Sequence, residues 1–167
     1  LECLKAAVDF GADAVYLAGT QFGMRTASKN FNEEQLAEGI KYAHERGARV
    51  HITCNVLPRS RKLAALPGFL KTAQTLGADA FIIADLGVLE LAKKYAPDVE
   101  IHSSTQTGIV NYATANVLHS MGVKRVVLAR ELSIPEIREI REKTPPELEI
   151  ETFVHGSMCV SFSGRCL

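Results

Sequence analysis

Net charge, long apolar runs and a dense set of cysteines are all missing from this sequence, and each absence removes a class of function. Nineteen Lys and Arg balance nineteen Asp and Glu, so the composition carries no electrostatic footprint for nucleic acid or an anionic membrane surface. An RNA partner has to be argued on other grounds. No apolar run reaches the ~20 residues a spanning helix needs, and residues 1 to 20 lack a basic start, an apolar stretch and a cleavage site. A cytoplasmic setting without a membrane is the expectation. Of the four cysteines, Cys3 and Cys54 are isolated and Cys159 and Cys166 lie close together. That is not the framework of a small secreted domain, and they read as thiols or metal ligands. No Gly-x-Gly-x-x-Gly follows a first strand and there is no phosphate-binding loop, which argues against a dinucleotide or a nucleoside triphosphate.

What is present is a repeat. Gly11-Ala-Asp-Ala-Val-Tyr-Leu17, Gly47-Ala-Arg-Val-His-Ile-Thr53, Gly77-Ala-Asp-Ala-Phe-Ile-Ile83 and Gly122-Val-Lys-Arg-Val-Val-Leu128 each place a glycine before an apolar, β-rich run. The glycine suits the residue after a helix, where φ turns positive. Intervals of 36, 30 and 45 residues between these glycines match a strand, a crossover helix and two loops. Asn32 with Gln35, and Ser133 with Glu136, have the spacing of capping boxes. Helices are predicted near 1–10, 33–46, 62–76, 88–95, 111–121 and 134–143. Strands are predicted near 14–18, 49–55, 80–84, 100–104, 125–130 and 149–155. Length and composition suit one domain over 1–167. Leu1 to Phe10 already has helical spacing without a cap, and the chain stops one residue after Cys166. A fragment is therefore expected, lacking a first strand and whatever follows the cysteines.

About six βα units with apolar strands imply an α/β fold with a parallel sheet, open or closed. Polar residues at nearly every strand end favour a TIM-like (β/α) barrel, incomplete here, because a barrel collects its site residues around one mouth. Alternation along 49–55 puts Val50, Ile52 and Cys54 on one face and His51, Thr53 and Asn55 on the other. Cys54 then reads as a buried small hydrophobe, and so does Cys3. Along the last strand Glu151, Phe153 and His155 share a face, so a carboxylate beneath an imidazole could do acid/base work or simply fill the barrel. His102-Ser-Ser104-Thr-Gln106 is a dense donor and acceptor cluster that suits a polar ligand or a helix cap. Arg130-Glu131 could be an anion clamp beside a base, although adjacent strand residues face opposite ways. Asn55 and Asp85 are further strand-end candidates for substrate binding.

The most specific local feature is Glu151-Thr-Phe153-Val-His155-Gly156-Ser157-Met-Cys159-Val-Ser-Phe-Ser163-Gly164-Arg165-Cys166. A strand runs into a small-residue turn that could bring two thiolates to one metal. Iron–sulfur clusters and structural zinc normally take four protein ligands, so two more are expected from elsewhere. A disulfide between the pair is disfavoured in a reducing compartment.

This segment resembles the signature of the collagenase-like peptidases of unassigned catalytic type, family U32. The resemblance extends to Gly11-Ala-Asp-Ala-Val-Tyr16, Tyr42-Ala-His44-x-Arg46-Gly47, Asp85-Leu-Gly-Val88, His102-x-Ser-Thr-Gln106, Asn111 and Ala129-Arg-Glu-Leu-Ser133. The family takes its name from collagen degradation by some members. Others carry a 4Fe-4S cluster on four cysteines and assist oxygen-independent hydroxylation of a tRNA wobble uridine, an rRNA cytidine or a ubiquinone precursor, with prephenate implicated for RNA. The resemblance implies that Cys159 and Cys166 are two cluster ligands; the strand-end residues His102, Gln106, Arg130, Glu131 and His155 are then expected to shape a polar pocket around the cluster at the mouth. Candidate catalytic residues are His155, Glu151, Glu131 and His102. Gln106, Arg130, Asn55, Asp85 and Ser104 are the candidates for substrate binding. There is no His-Glu-x-x-His, and Ser157, Ser161 and Ser163 have no identifiable triad. RNA hydroxylation is therefore favoured over a peptidase acting on peptides. A non-catalytic subunit acting with a partner of the same family is the remaining class.

Overall fold

The computed structural model describes residues 1–24, 30–156 and 160–164. It divides into two compact units, Leu1–Glu100 and Ile101–Leu167.

In the first unit α1 (Glu2–Asp9) leads to β1 (Ala14–Leu17), α2 (Glu33–His44), β2 (Arg49–Cys54), α3 (Ser60–Leu63), α4 (Leu66–Leu76), β3 (Ala80–Ile83) and α5 (Leu86–Tyr95). The strands pair in parallel and in chain order, with Ala14 opposite Arg49 and His51 opposite Ala80. Asn32 starts α2 with a complete capping box, accepting the Gln35 N–H at 2.8 Å while Gln35 Oε1 accepts the Asn32 N–H at 3.1 Å. The helix expected over 62–76 is two helices. Pro67 sits in the first turn of α4, where its missing N–H is tolerated. Its ring would collide with the Leu63 carbonyl of a continuous helix, so α3 ends there.

Both faces of β2 are enclosed. Val50, Ile52 and Cys54 are fully buried and His51 and Thr53 nearly so, as a parallel strand covered on both sides requires. Phe81, Leu66, Leu70 and Ile40 complete this core, each contributing about 1.5–3 kcal/mol by leaving water. Cys3 departs from expectation: it lies on the exposed side of α1, whose buried residues are Leu4 and Val8.

The second unit begins within β4 (Glu100–Ser103) and continues through a 3-10 turn (Thr105–Thr107), α6 (Tyr112–Ser120), β5 (Arg125–Val127), α7 (Ile134–Glu142), β6 (Glu149–Glu151) and a second 3-10 turn (Phe162–Gly164). His102 pairs with Arg125, and Arg125 with Glu149, again in parallel. Ile109, Val123, Leu128 and Leu148 form its core. At the start of α7 the Glu136 carboxylate takes both the N–H and the hydroxyl of Ser133, at 2.7 and 2.6 Å. Arg141 closes the other end, donating to the carbonyls of Leu148 (2.6 Å), Thr144 (3.1 Å) and Pro145.

All four repeat glycines have positive φ, at 94°, 77°, 92° and 96° for Gly11, Gly47, Gly77 and Gly122. The last two strands are shorter than expected. β5 stops at Val127, leaving Leu128 in a single bridge with Ile109. Among the described residues β6 pairs no further than Glu151, whose carbonyl accepts the last rung from the Leu128 N–H at 2.9 Å. Apolar character continues along both segments, but the ladder does not.

Candidate functional site

The strand ends of the first unit are occupied by local structural bonds. Asn55 Oδ1, just past β2, accepts the Met24 N–H at 3.1 Å. Asp85, just past β3, is the N-cap of α5 and accepts the Val88 N–H at 2.9 Å.

In the second unit, side chains stitch the end of β4 to that of β5. Ser103 Oγ accepts the Val127 N–H and Thr105 Oγ1 donates to the Leu128 carbonyl, both at 3.3 Å. Ser104 accepts the Gln106 N–H at 3.3 Å and so caps the 3-10 turn that presents Gln106. His102 is wholly buried and Gln106 half-buried. The Thr105–Thr107 turn lies against the Phe162–Gly164 turn of the cysteine segment.

That second turn is held by the residues after β5. Because β5 ends at Val127, Arg130 and Glu131 lie in a turn rather than on opposite strand faces. Both point their bonds at Ser163. The Arg130 N–H donates to Ser163 Oγ at 3.1 Å, the Ser163 N–H donates to one Glu131 oxygen at 2.8 Å, and the Ser163 hydroxyl donates to the other. Ser163 is 1% exposed and left-handed at φ 38°, ψ 44°. That conformation costs a non-glycine residue about 1–2 kcal/mol. Hydrogen bonds to a charged group, each about 1.5–3 kcal/mol when shielded, offset it, though by less at an exposed carboxylate. The Ser163 hydroxyl and N–H hold the Glu131 carboxyl below the usual carboxylate range. Glu131 is therefore ionised at neutral pH, which suits an anchor better than a proton donor. The Arg130 guanidinium sits 4.3 Å from the Phe153 ring centroid, and its Nε is enclosed without a hydrogen-bond partner among the described residues.

Glu151 and His155 are not on one strand face, because β6 ends at Glu151 and His155 stands exposed in a bend. The Glu151 carboxylate lies 3.2 Å from Arg125 Nη1, and Arg125 also holds Glu149 at 2.5 Å. The sequence alone gives no binding or anchoring role to Ser163, Phe153 or Arg125. Ser163 lies between the two cysteines, but its carboxylate partner is 32 residues away and carries no local signal.

Among the described residues no group of three or more His, Cys, Asp and Glu could hold a metal ion. Burial pushes the Cys54 thiol far above its ordinary range, which disfavours the thiolate a metal requires. Cys159 and Cys166 lie outside the described residues. By donor chemistry they fit half of a four-thiolate set.

The fold and the motif can now be set beside known proteins. A solved U32 peptidase superposes with a TM-score of 0.69 at 21% identity, covering 87% of this chain and 64% of its own. This likeness defines the class: an α/β protein of the TIM-barrel-like type, with the described strands of each unit paired in parallel. The model of Peptidase family U32 matches residues 1–167, and the chain belongs to that family. "tRNA hydroxylation protein P1" of Bacillus subtilis is 41% identical over the whole chain, and "tRNA hydroxylation protein P" of Helicobacter pylori 48%. A 23S rRNA 5-hydroxycytidine synthase of Escherichia coli is 37% identical over 97% of the chain and 24% of its own length. The chain spans 39% and 40% of the first two relatives.

Proposed function

We propose that the protein containing this chain is an iron–sulfur protein of oxygen-independent RNA hydroxylation, acting on tRNA or rRNA. The supporting observation is similarity along the full chain to relatives named for hydroxylating tRNA and rRNA. In this reading Cys159 and Cys166 hold a 4Fe-4S cluster together with two thiolates from outside this chain. Bound there, the cluster supplies one-electron chemistry. Arg130, braced on Phe153, offers donors to an anionic group such as an RNA phosphate or the carboxylate of prephenate. Phe153 is 40% exposed, enough to stack an unpaired base. Gln106 lies on the turn beside the cysteine segment and orients polar edges of the substrate, while the exposed His155 is the proton-handling candidate. A cytoplasmic setting, where thiols stay reduced, belongs to the same reading. No described helix is long and apolar enough to cross a membrane.

A peptidase is the competing family-level reading. The Ser163 hydroxyl donates directly to the Glu131 carboxylate, with no imidazole in the relay that a serine triad needs. The deciding experiment measures iron, acid-labile sulfide and visible absorption on the full protein purified without oxygen, beside a Cys159→Ala/Cys166→Ala variant. RNA nucleosides from a deletion strain carrying either form are compared in parallel. About four iron per chain, lost together with RNA hydroxylation in the variant, is expected. No iron, with gelatin cleavage that survives both substitutions and copurifies with the protein, would replace this reading by the peptidase. No iron, no cleavage and unchanged nucleosides would leave a non-catalytic subunit.

A further inference from the structure

We propose that Glu131 is the positioning residue of the cysteine segment, acting through Ser163 to limit where Cys159 and Cys166 can lie. The proposal rests on reading those cysteines as cluster ligands. Its geometry does not: Glu131 takes both the N–H and the hydroxyl of Ser163, while the Arg130 N–H bonds the same hydroxyl. Every hydrogen-bonding group that Ser163 can offer to the turn after β5, apart from its carbonyl, is thereby committed to it. The anchor is buried although the carboxylate that makes it is exposed. Ser163 follows Cys159 by four residues and precedes Cys166 by three. At full extension those separations span at most about 14 and 11 Å between Cα atoms. One fixed point between the cysteines therefore confines both of them. The left-handed backbone at Ser163 adds a directional constraint, since it turns the chain sharply between the two ligands.

A carboxylate suits this task for a specific reason. Its two oxygens accept an N–H and an O–H from one residue at once, whereas an amide in the same place would set its NH2 against one of those donors. Glu131→Gln should keep one bond and lose the other, and Glu131→Ala should lose both. Ser163→Gly keeps the left-handed backbone and the N–H bond while deleting the hydroxyl.

The test uses the full protein purified without oxygen. In the iron-free form, the rates at which a thiol reagent modifies Cys159, Cys166 and Cys3 are read by peptide mass spectrometry. In the iron-loaded form, the rate of iron loss to a chelator and the electron paramagnetic resonance spectrum are recorded. Glu131→Ala should raise the modification of Cys159 and Cys166 together by about tenfold, the scale of two lost hydrogen bonds to a carboxylate that solvent screens. Cys3 should be unmoved, iron loss should accelerate and the spectrum should broaden or shift. Glu131→Gln and Ser163→Gly should fall between the alanine variant and the wild type. Unchanged rates at both motif cysteines in all three variants would overturn the proposal. If Glu131→Ala does not fold, the Gln and Gly variants decide by the same readouts. If the wild-type protein holds no iron, the cluster reading fails by itself, and the thiol rates still decide whether Glu131 positions the segment.

Discussion

Asp79 stands in for a rung of the parallel ladder, and replacing it measures what that rung contributes. Its N–H donates to the Val50 carbonyl at 3.0 Å, and its carboxylate accepts the Val50 N–H at 2.6 Å. Regular pairing begins one residue later, at His51 opposite Ala80. Val50 is fully buried, so Asp79→Ala leaves an enclosed N–H without an acceptor. A hydrogen bond to a charged group contributes about 1.5–3 kcal/mol. The same carboxylate oxygen also meets His44 Nε2 at 2.9 Å, but that imidazole is 41% exposed and adds at most about 1 kcal/mol. The expected loss is about 2–3 kcal/mol for Asp79→Ala and under about 1 kcal/mol for Asp79→Asn, which keeps an acceptor oxygen. With a urea dependence of about 1–3 kcal/mol/M, the alanine variant should unfold near 1 M lower in urea. Far-ultraviolet circular dichroism of the full protein and both variants checks this. The reasoning is refuted if the two variants agree within about 0.5 kcal/mol, because then the acceptor contributes nothing beyond its charge.

The isolated cysteines should separate cleanly by reactivity. In native protein an alkylating reagent should modify the exposed Cys3 and leave the buried Cys54 intact until urea unfolds the chain, and peptide mass spectrometry with and without urea reads both. Native modification of Cys54 at a rate comparable with Cys3 would contradict its enclosure. The Glu131 latch should also depend on pH with a definite sign. Its folded carboxyl lies below the ordinary value, so the hold on Ser163 is complete above about pH 4.3 and weakens as pH falls through the folded value. Hydrogen exchange of the Arg130 amide, referenced to the Ala129 amide at each pH, should rise only in that acid window. A rise already near neutrality would count against the latch.

Much of the fold was legible because it rests on local rules. The glycines at 11, 47, 77 and 122 mark helix ends by the φ they permit, and Asn32 with Gln35 marks a helix start by a bond three residues long. Pro67 is equally local, and its ring breaks the helix expected over 62–76 into α3 and α4. The strands expected to 130 and 155 end at Val127 and Glu151 for a reason that no window contains. A strand lasts only as long as a neighbour supplies donors and acceptors, and the described rungs between the last two strands end with the Leu128 N–H on the Glu151 carbonyl.

By itself the sequence determined the repeat, the parallel α/β class, the buried thiol at Cys54 and the family motif around Cys159 and Cys166. Each depends on residue type at short spacing, where backbone sterics and apolar periodicity act directly. Only the tertiary structure decided that Glu151 answers Arg125 and that Glu131 meets Ser163. A carboxylate can serve as cap, ion-pair partner, anchor or base with the same composition around it. Which of these it becomes is set by the donors that chain segments 20 or 30 residues away bring within about 3 Å, and that distance exists only once the strands are in register.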